Sequence, residues 1–116
     1  MTLANTQKNE VLIQLGSKEF LTRPTFNFIC QIEDYFNQSL RELGNRGVVN
    51  GNMKAAEMVV IIAAGIEAAG GKVDKEEIQQ AIVDAGTSGA LIEVGRLIMA
   101  AFSGPKINVP EDTKKK

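Results

Sequence analysis

The sequence contains no histidine and only one cysteine among its 116 residues. Without histidine, no imidazole is available as a general base or as a metal ligand. One cysteine can form neither an intramolecular disulfide nor a thiolate metal site, which fits a reducing cytosol. Because Cys30 lies in a helical pattern between Ile29 and Ile32, we interpret it as a small core residue rather than a nucleophile.

The charge and the hydrophobic runs of the chain argue against a nucleic-acid or membrane partner. The net charge is −1, from 13 basic and 14 acidic residues, so the broad positive field of a duplex-binding protein is missing. The basic cluster Lys114–Lys116 is interpreted as a solvated tail. The longest uncharged apolar run, Met58–Ile66, is too short for a bilayer, which needs about 20 residues. We also expect no secretory signal.

The remaining candidates for chemistry are carboxylate pairs and glycine-rich turns. Glu33 and Asp34 are adjacent, so they point in different directions on a helix. Glu76 and Glu77 lie in a first helical turn, where acidic residues favour the helix dipole. Gly70-Gly71-Lys72 lacks both the following Ser or Thr and the preceding strand of a phosphate loop. We therefore predict no catalytic residue, no metal ligand and no cofactor.

A β-hairpin is predicted at the start of the domain. Residues Val11–Leu15 alternate in the pattern of a strand. Gly16-Ser17-Lys18 predicts a turn, and Glu19–Thr22 is predicted as the second strand. Val11, Ile13 and Leu15 share one face. A two-stranded hairpin is marginal alone, so one of its faces is expected to pack on a helix.

A helical period begins after Pro24, which we place at the helix start. Apolar residues recur at helical spacing at Ile29, Ile32, Phe36, Leu40 and Leu43. Residues 37–39 are expected to divide this segment into two helices, with Ser39 capping the second. Gly44 and Gly47 are predicted to end it, and residues 48–52 to form a connector.

Three further helices are predicted from capping and stop signals. The first runs from Met53 to about Ala69, capped by Asn52, and it is either the central core helix or a helix with a surplus apolar face. The second starts at a capping box of Asp74 and Glu77 and ends at Gly86. Thr87 or Ser88 caps the third. Its inward stripe is Leu91, Val94, Leu97, Ile98, Ala101 and Phe102.

These elements predict an α+β fold that is mostly α, with an N-terminal β-hairpin packed on a small bundle of four to five helices. We expect one globular domain over residues 9–103. Residues 1–8 are expected to form a flexible leader, and residues 104–116 a flexible tail.

Three stretches of the chain carry a resemblance to a known family. The most specific is Pro24-Thr25-Phe26 followed by Ile32-Glu33, and the stretches Ala55–Gly65 and Gly95–Gly104 add to it. Together with the hairpin, they resemble the phage tail assembly chaperone family that includes the tail gene of gene transfer agents, also filed as tail-tube-like. The resemblance covers about Glu10–Pro105. It implies structural roles for Pro24, Thr25, Phe26 and Glu33, and we interpret the Pro24-Thr25-Phe26 junction as a packing joint.

The resemblance implies a non-catalytic protein that binds the tape-measure protein during tail assembly, in the cytoplasm of the bacterial host. The tail-tube protein is a further candidate partner. The alternative is a structural tail component, tube or connector, that assembles with itself, and the oligomeric state stays open. In this family a longer form often arises by ribosomal frameshifting, for which the codons of Lys114–Lys116 are a candidate slippery site.

A tape-measure protein is a long helical chain with exposed apolar stripes. We expect it to bind one of two apolar helices, Met53–Ala69 or Leu91–Phe102, or to add as a strand to the edge of the hairpin. The candidate contact residues on the two helices are Met58, Val59, Ile62, Ile66, Leu91, Met99 and Phe102.

Overall fold

The computed structural model describes residues 9–104 of the chain. The elements, in order, are the strands β1 (Val11–Leu15) and β2 (Lys18–Thr22) and the helices α1 (Phe26–Phe36), α2 (Leu40–Leu43), α3 (Ala55–Ala68), α4 (Lys75–Ala85) and α5 (Thr87–Ser103). A π-helical segment, Gly44–Val49, follows α2. The predicted fold class is confirmed, because an N-terminal hairpin packs on a helical bundle. The predicted leader, the tail beyond Gly104 and the run Lys114–Lys116 lie outside the described residues.

The hairpin places Val11, Ile13 and Leu15 on one buried face, as predicted. Gly16 has a φ of +62° and Ser17 a negative φ, which is the pattern of a type II′ turn, whose twist matches that of the strands. The antiparallel ladder runs from Leu15 opposite Lys18 to Val11 opposite Thr22. The buried, inward side chains are Val11, Ile13, Leu15, Phe20 and Thr22.

The start of α1 follows local capping rules. Pro24 is buried and precedes the N-cap residue Thr25, so it lies before the helix rather than in its first turn. The Thr25 hydroxyl accepts a hydrogen bond from the Phe28 N–H at 3.1 Å. The break after α1 is also confirmed. Ser39 and Glu42 form a capping box, in which each side chain accepts a hydrogen bond from the backbone N–H of the other.

Gly44 and Gly47 do not end the helical segment, contrary to the prediction. Both are buried inside the π-helical segment. A Cβ at Gly44 would lie 3.1 Å from Cε2 of Phe102, and one at Gly47 would collide with the side chain of Met53. The absent side chains therefore allow close packing, and the connector begins only after Val49.

The predicted start of α3 is wrong by two residues. The helix begins at Ala55 with Lys54 as its N-cap, so Asn52 does not cap it. The Lys54 N–H donates to Oε1 of Glu57 at 2.8 Å, which satisfies one donor of the first turn. The carbonyl of Asn52 instead accepts a hydrogen bond from the Arg46 guanidinium at 2.8 Å.

The capping predictions for α4 and α5 are partly wrong. Asp74 caps α4, accepting from the Glu77 N–H at 3.2 Å, but the Glu77 carboxylate pairs with Lys18 at 3.0 Å instead of closing a capping box. Only Gly86, with a φ of +85°, separates α4 from α5 and is the N-cap residue of α5. Because this junction leaves no room for another cap, Thr87 and Ser88 lie inside α5.

Helix α3 is the central core helix, one of the two roles predicted for it. It packs against β2, α1, α4 and α5, and half of its residues are buried. Gly65 lies where α3 meets both the hairpin and α5. A Cβ there would lie 2.8 Å from Cβ of Thr22 and 2.9 Å from Cδ2 of Leu97. The Gly65 carbonyl accepts a hydrogen bond from the Arg23 N–H at 3.0 Å, which ties the end of β2 to α3.

Candidate functional site

The described part of the chain contains no group of His, Cys, Asp and Glu side chains that could hold a metal ion. Cys30 is a free thiol and half-buried. Within residues 9–104 no single helix combines the length and apolar composition needed to cross a membrane. The pair α4 and α5 meets that test only together, and the two helices are bent by 119° at Gly86.

The four candidate contact residues on α3 lie in the core. Met58, Val59, Ile62 and Ile66 are each at most 8 % exposed. Val59 reaches a surface groove between α3 and α4, and Ile66 reaches a smaller groove beside β2. A partner on the surface of the folded domain therefore meets little of these side chains.

The candidates on α5 are more accessible. Met99 is 54 % exposed, Phe102 is 44 % exposed and Leu91 is half-buried. Val94, Leu97 and Ile98 face the core as predicted, joined by Ala90 and Gly95. Phe102 does not belong to the buried stripe, because its ring covers the backbone of Gly44 at the surface.

Leu91 and Met99 line a groove between α5 and the π-helical segment, which we call the α5 groove. Its volume is about 420 Å³, and its walls are Val48, Leu91, Ile92, Gly95, Arg96 and Met99. Ile92 is 68 % exposed, although it was not among the predicted contact residues. A Cβ at Gly95 would lie 3.1 Å from Cγ1 of Val48, so the glycine lets the π-helical segment approach α5. Ile92 and Met99 are seven residues apart, which places them on one side of α5, and this spacing is the sequence signal that could have identified the α5 groove.

An Arg46–Glu57 clamp holds the π-helical segment that forms the other wall. Arg46 donates to both carboxylate oxygens of Glu57, at 3.2 and 3.3 Å, and to Oε1 of Gln38 at 3.0 Å. Burial raises the pKa of Glu57, but the hydrogen bond from the Lys54 N–H and the Arg46 guanidinium outweigh it, so the pKa lies below its ordinary value. The clamp connects the π-helical segment to the start of α3.

Helix α5 also covers the outer edge of β1. In a hairpin with a two-residue turn, Leu15 and Lys18 form a hydrogen-bonded pair, so Leu12 and Gln14 point their backbone groups away from β2. Glu93 accepts a hydrogen bond from the Gln14 N–H at 2.8 Å, and Arg96 donates to the Leu12 carbonyl at 2.9 Å. A strand added to this edge would therefore have to displace Glu93 and Arg96 from β1.

The four motif residues occupy different environments. Pro24 is buried, Thr25 caps α1, and Oε2 of Glu33 accepts a hydrogen bond from the Leu40 N–H at 2.8 Å, joining α1 to α2. Phe26 is 80 % exposed, so the packing joint does not include its ring.

The comparisons with known proteins agree with the resemblance found in the sequence. A family model described as phage tail tube protein, GTA-gp10, matches residues 8–104, which is most of the chain. No curated protein and no solved structure matches the chain.

Proposed function

The chain belongs to the phage tail tube protein (GTA-gp10) family, and we propose that it acts in tail assembly as a chaperone that binds the tape-measure protein. The observation that carries this proposal is the α5 groove, where Ile92 and Met99 expose apolar side chains beside Val48 and Leu91. On this proposal the protein works in the cytoplasm of the bacterial host, with the tail-tube protein as a second candidate partner.

The geometry of the α5 groove suits an apolar helical stripe. Residues seven apart lie two turns apart on one side of a helix, about 10 Å along its axis. A partner helix with apolar residues at the same spacing can lay them into the groove. Fully burying an isoleucine side chain is worth about 1.5–3 kcal/mol, so a few such contacts support a complex that forms and dissociates during assembly.

Co-expression with the tape-measure protein of the same phage tests the proposal. We expect the two chains to copurify, and we expect Ile92→Asp and Met99→Asp each to weaken the complex at least about tenfold, because each places a charge in the groove. Phe26→Asp is the matched control, since it alters an exposed aromatic residue of α1 that is not among the residues lining the groove. Equal binding by the groove variants and the wild type would refute this use of α5.

The second candidate function is a structural tail component, which the description of the family as tail tube proteins supports. It predicts that the purified protein forms large regular rings or tubes without the tape-measure protein. Sedimentation and electron microscopy of the protein alone distinguish the two functions. The covered β1 edge argues against tubes built by head-to-tail pairing of hairpins, because that pairing would have to displace Glu93 and Arg96.

A further inference from the structure

The two edges of the hairpin differ in their free hydrogen-bonding groups. On β1, side chains of α5 bind two of the four outward groups, the N–H of Gln14 and the carbonyl of Leu12. On β2, the same register turns the backbone N–H and C=O of Glu19 and Leu21 outward. Within residues 9–104, no side chain or backbone group accepts from or donates to these outward groups of Glu19 and Leu21.

The open part of the β2 edge is short and has defined limits. Toward the end of β2, the Arg23 N–H already donates to the Gly65 carbonyl of α3 at 3.0 Å. Toward the turn, Lys18 pairs with Leu15 and its side chain pairs with Glu77. Between these limits, a groove of about 240 Å³ separates Glu19 and Leu21 from Lys72, Asp74 and Glu77. Four backbone groups are therefore available to one incoming strand.

We propose that this edge pairs with the same edge of a second copy of the chain, so that two hairpins form one four-stranded antiparallel sheet. A symmetric contact of this kind satisfies the open edges of both copies at once. A strand from a different protein would satisfy only one copy and would leave its own second edge unpaired.

The charges on β2 select one register for this pairing. With Glu19 opposite Leu21 of the other copy, each pair exchanges two hydrogen bonds, and all outward groups are used. Centring the contact on Glu19 would place two carboxylates opposite each other, which is destabilising. Centring it on Leu21 would pair Glu19 with Arg23, whose N–H is already engaged. In the favoured register the symmetry axis passes Phe20, whose side chain stays in its own core.

The result is a closed dimer rather than a growing sheet. Each outer edge of the four-stranded sheet would be a β1 strand, and α5 covers that edge in each copy. The contact uses none of the residues that line the α5 groove. Its test is therefore independent of the proposed tape-measure binding.

The test compares two substitutions of one residue in the full chain. Glu19→Pro removes the outward N–H and leaves the hydrogen bonds to β1 intact, because that N–H points away from β1. Glu19→Ala removes the same carboxylate but keeps the N–H. Sedimentation equilibrium is expected to show a dimer for the wild type and for Glu19→Ala. For Glu19→Pro we expect a dissociation constant at least about tenfold higher. Circular dichroism checks that all three are folded.

Amide hydrogen exchange of the wild type supplies a second measurement that needs no variant. The amides of Glu19 and Leu21 should become protected as the protein concentration rises, whereas the Gln14 amide should be protected at every concentration by Glu93. A wild type that stays monomeric up to about 1 mM would overturn the proposal. So would a dimer that Glu19→Pro leaves intact, or one that leaves the Glu19 and Leu21 amides unprotected.

Discussion

Gly65 offers a direct test of how α3 packs against the hairpin and α5. The residue lies inside α3, one turn before its C-cap residue Ala69, and alanine is ordinarily the better helix former. In this structure the added Cβ would lie 2.8 Å from Cβ of Thr22 and 2.9 Å from Cδ2 of Leu97. Thr22 cannot easily move, since its hydroxyl donates to the Val11 carbonyl at 2.7 Å and its side chain is fully buried.

Two effects of opposite sign decide the stability of Gly65→Ala. The greater helix propensity of alanine stabilises the folded state by about 0.5–1 kcal/mol. Overpacking of a well-filled core destabilises it by about 1–3 kcal/mol, and contacts under 3.0 Å with two separate elements lie at the upper end of that range. We therefore expect a net loss of about 1–2 kcal/mol in the free energy of unfolding. For a domain of this size, the melting temperature would fall by about 4–16 °C.

Urea unfolding followed by circular dichroism measures this loss, with Gly89→Ala as the matched control. Gly89 lies in α5, and a Cβ there would meet no atom within 4 Å. The control is expected to gain about 0.5 kcal/mol from helix propensity alone. If Gly65→Ala were as stable as Gly89→Ala, the close approach of α3 to Thr22 and Leu97 would be refuted.

Two further predictions concern single polar groups. The carboxylate of Glu57 has a pKa below its ordinary value of 4.5, so its stabilising effect is present above that pH and disappears as the pH falls through the lower folded-state pKa. Glu57→Gln should thus be less stable than the wild type, on the order of 1 kcal/mol, in urea unfolding at neutral pH, and the difference should shrink in acid. A difference independent of pH would contradict the role of the Arg46–Glu57 clamp. Thr22→Val keeps the shape of the side chain but removes its hydrogen bond to Val11, so we expect a loss of about 1 kcal/mol in the same assay. Wild-type stability for this variant would argue against the bond.

Local signals were sufficient for the hairpin and several helix ends. The alternation of Val11–Leu15 predicts which residues of β1 face inward, because the side-chain period of a strand is two. The predicted turn was one residue too long, since Lys18 belongs to β2 and pairs with Leu15. Ser39 with Glu42 three residues later is a complete capping signature within four residues. In these places the sequence neighbours of a residue are also its structural partners.

Several incorrect predictions came from contacts between residues that are distant in sequence. Gly44 predicted the end of a helix, but in the structure the ring of Phe102 packs against it. No residue near Gly44 in the sequence indicates that contact. Likewise, the bonds that cover the β1 edge join residues 79 and 84 positions apart. Ile92 was missed because it lies outside the inward stripe of α5. That stripe predicts burial in the core and does not predict which outward residues meet the π-helical segment.

The difference between a chaperone and a tube subunit depends on what occupies the α5 groove. A subunit that builds a ring or tube needs at least two different contacts with its neighbours. The β2 edge supplies one symmetric contact, which by itself stops at two copies. Growth beyond the dimer would need the α5 groove, with its exposed Ile92 and Met99, to bind another copy. If the groove instead binds a helix of the tape-measure protein, no second self-contact remains on these surfaces, and the assembly ends as a dimer with two occupied grooves.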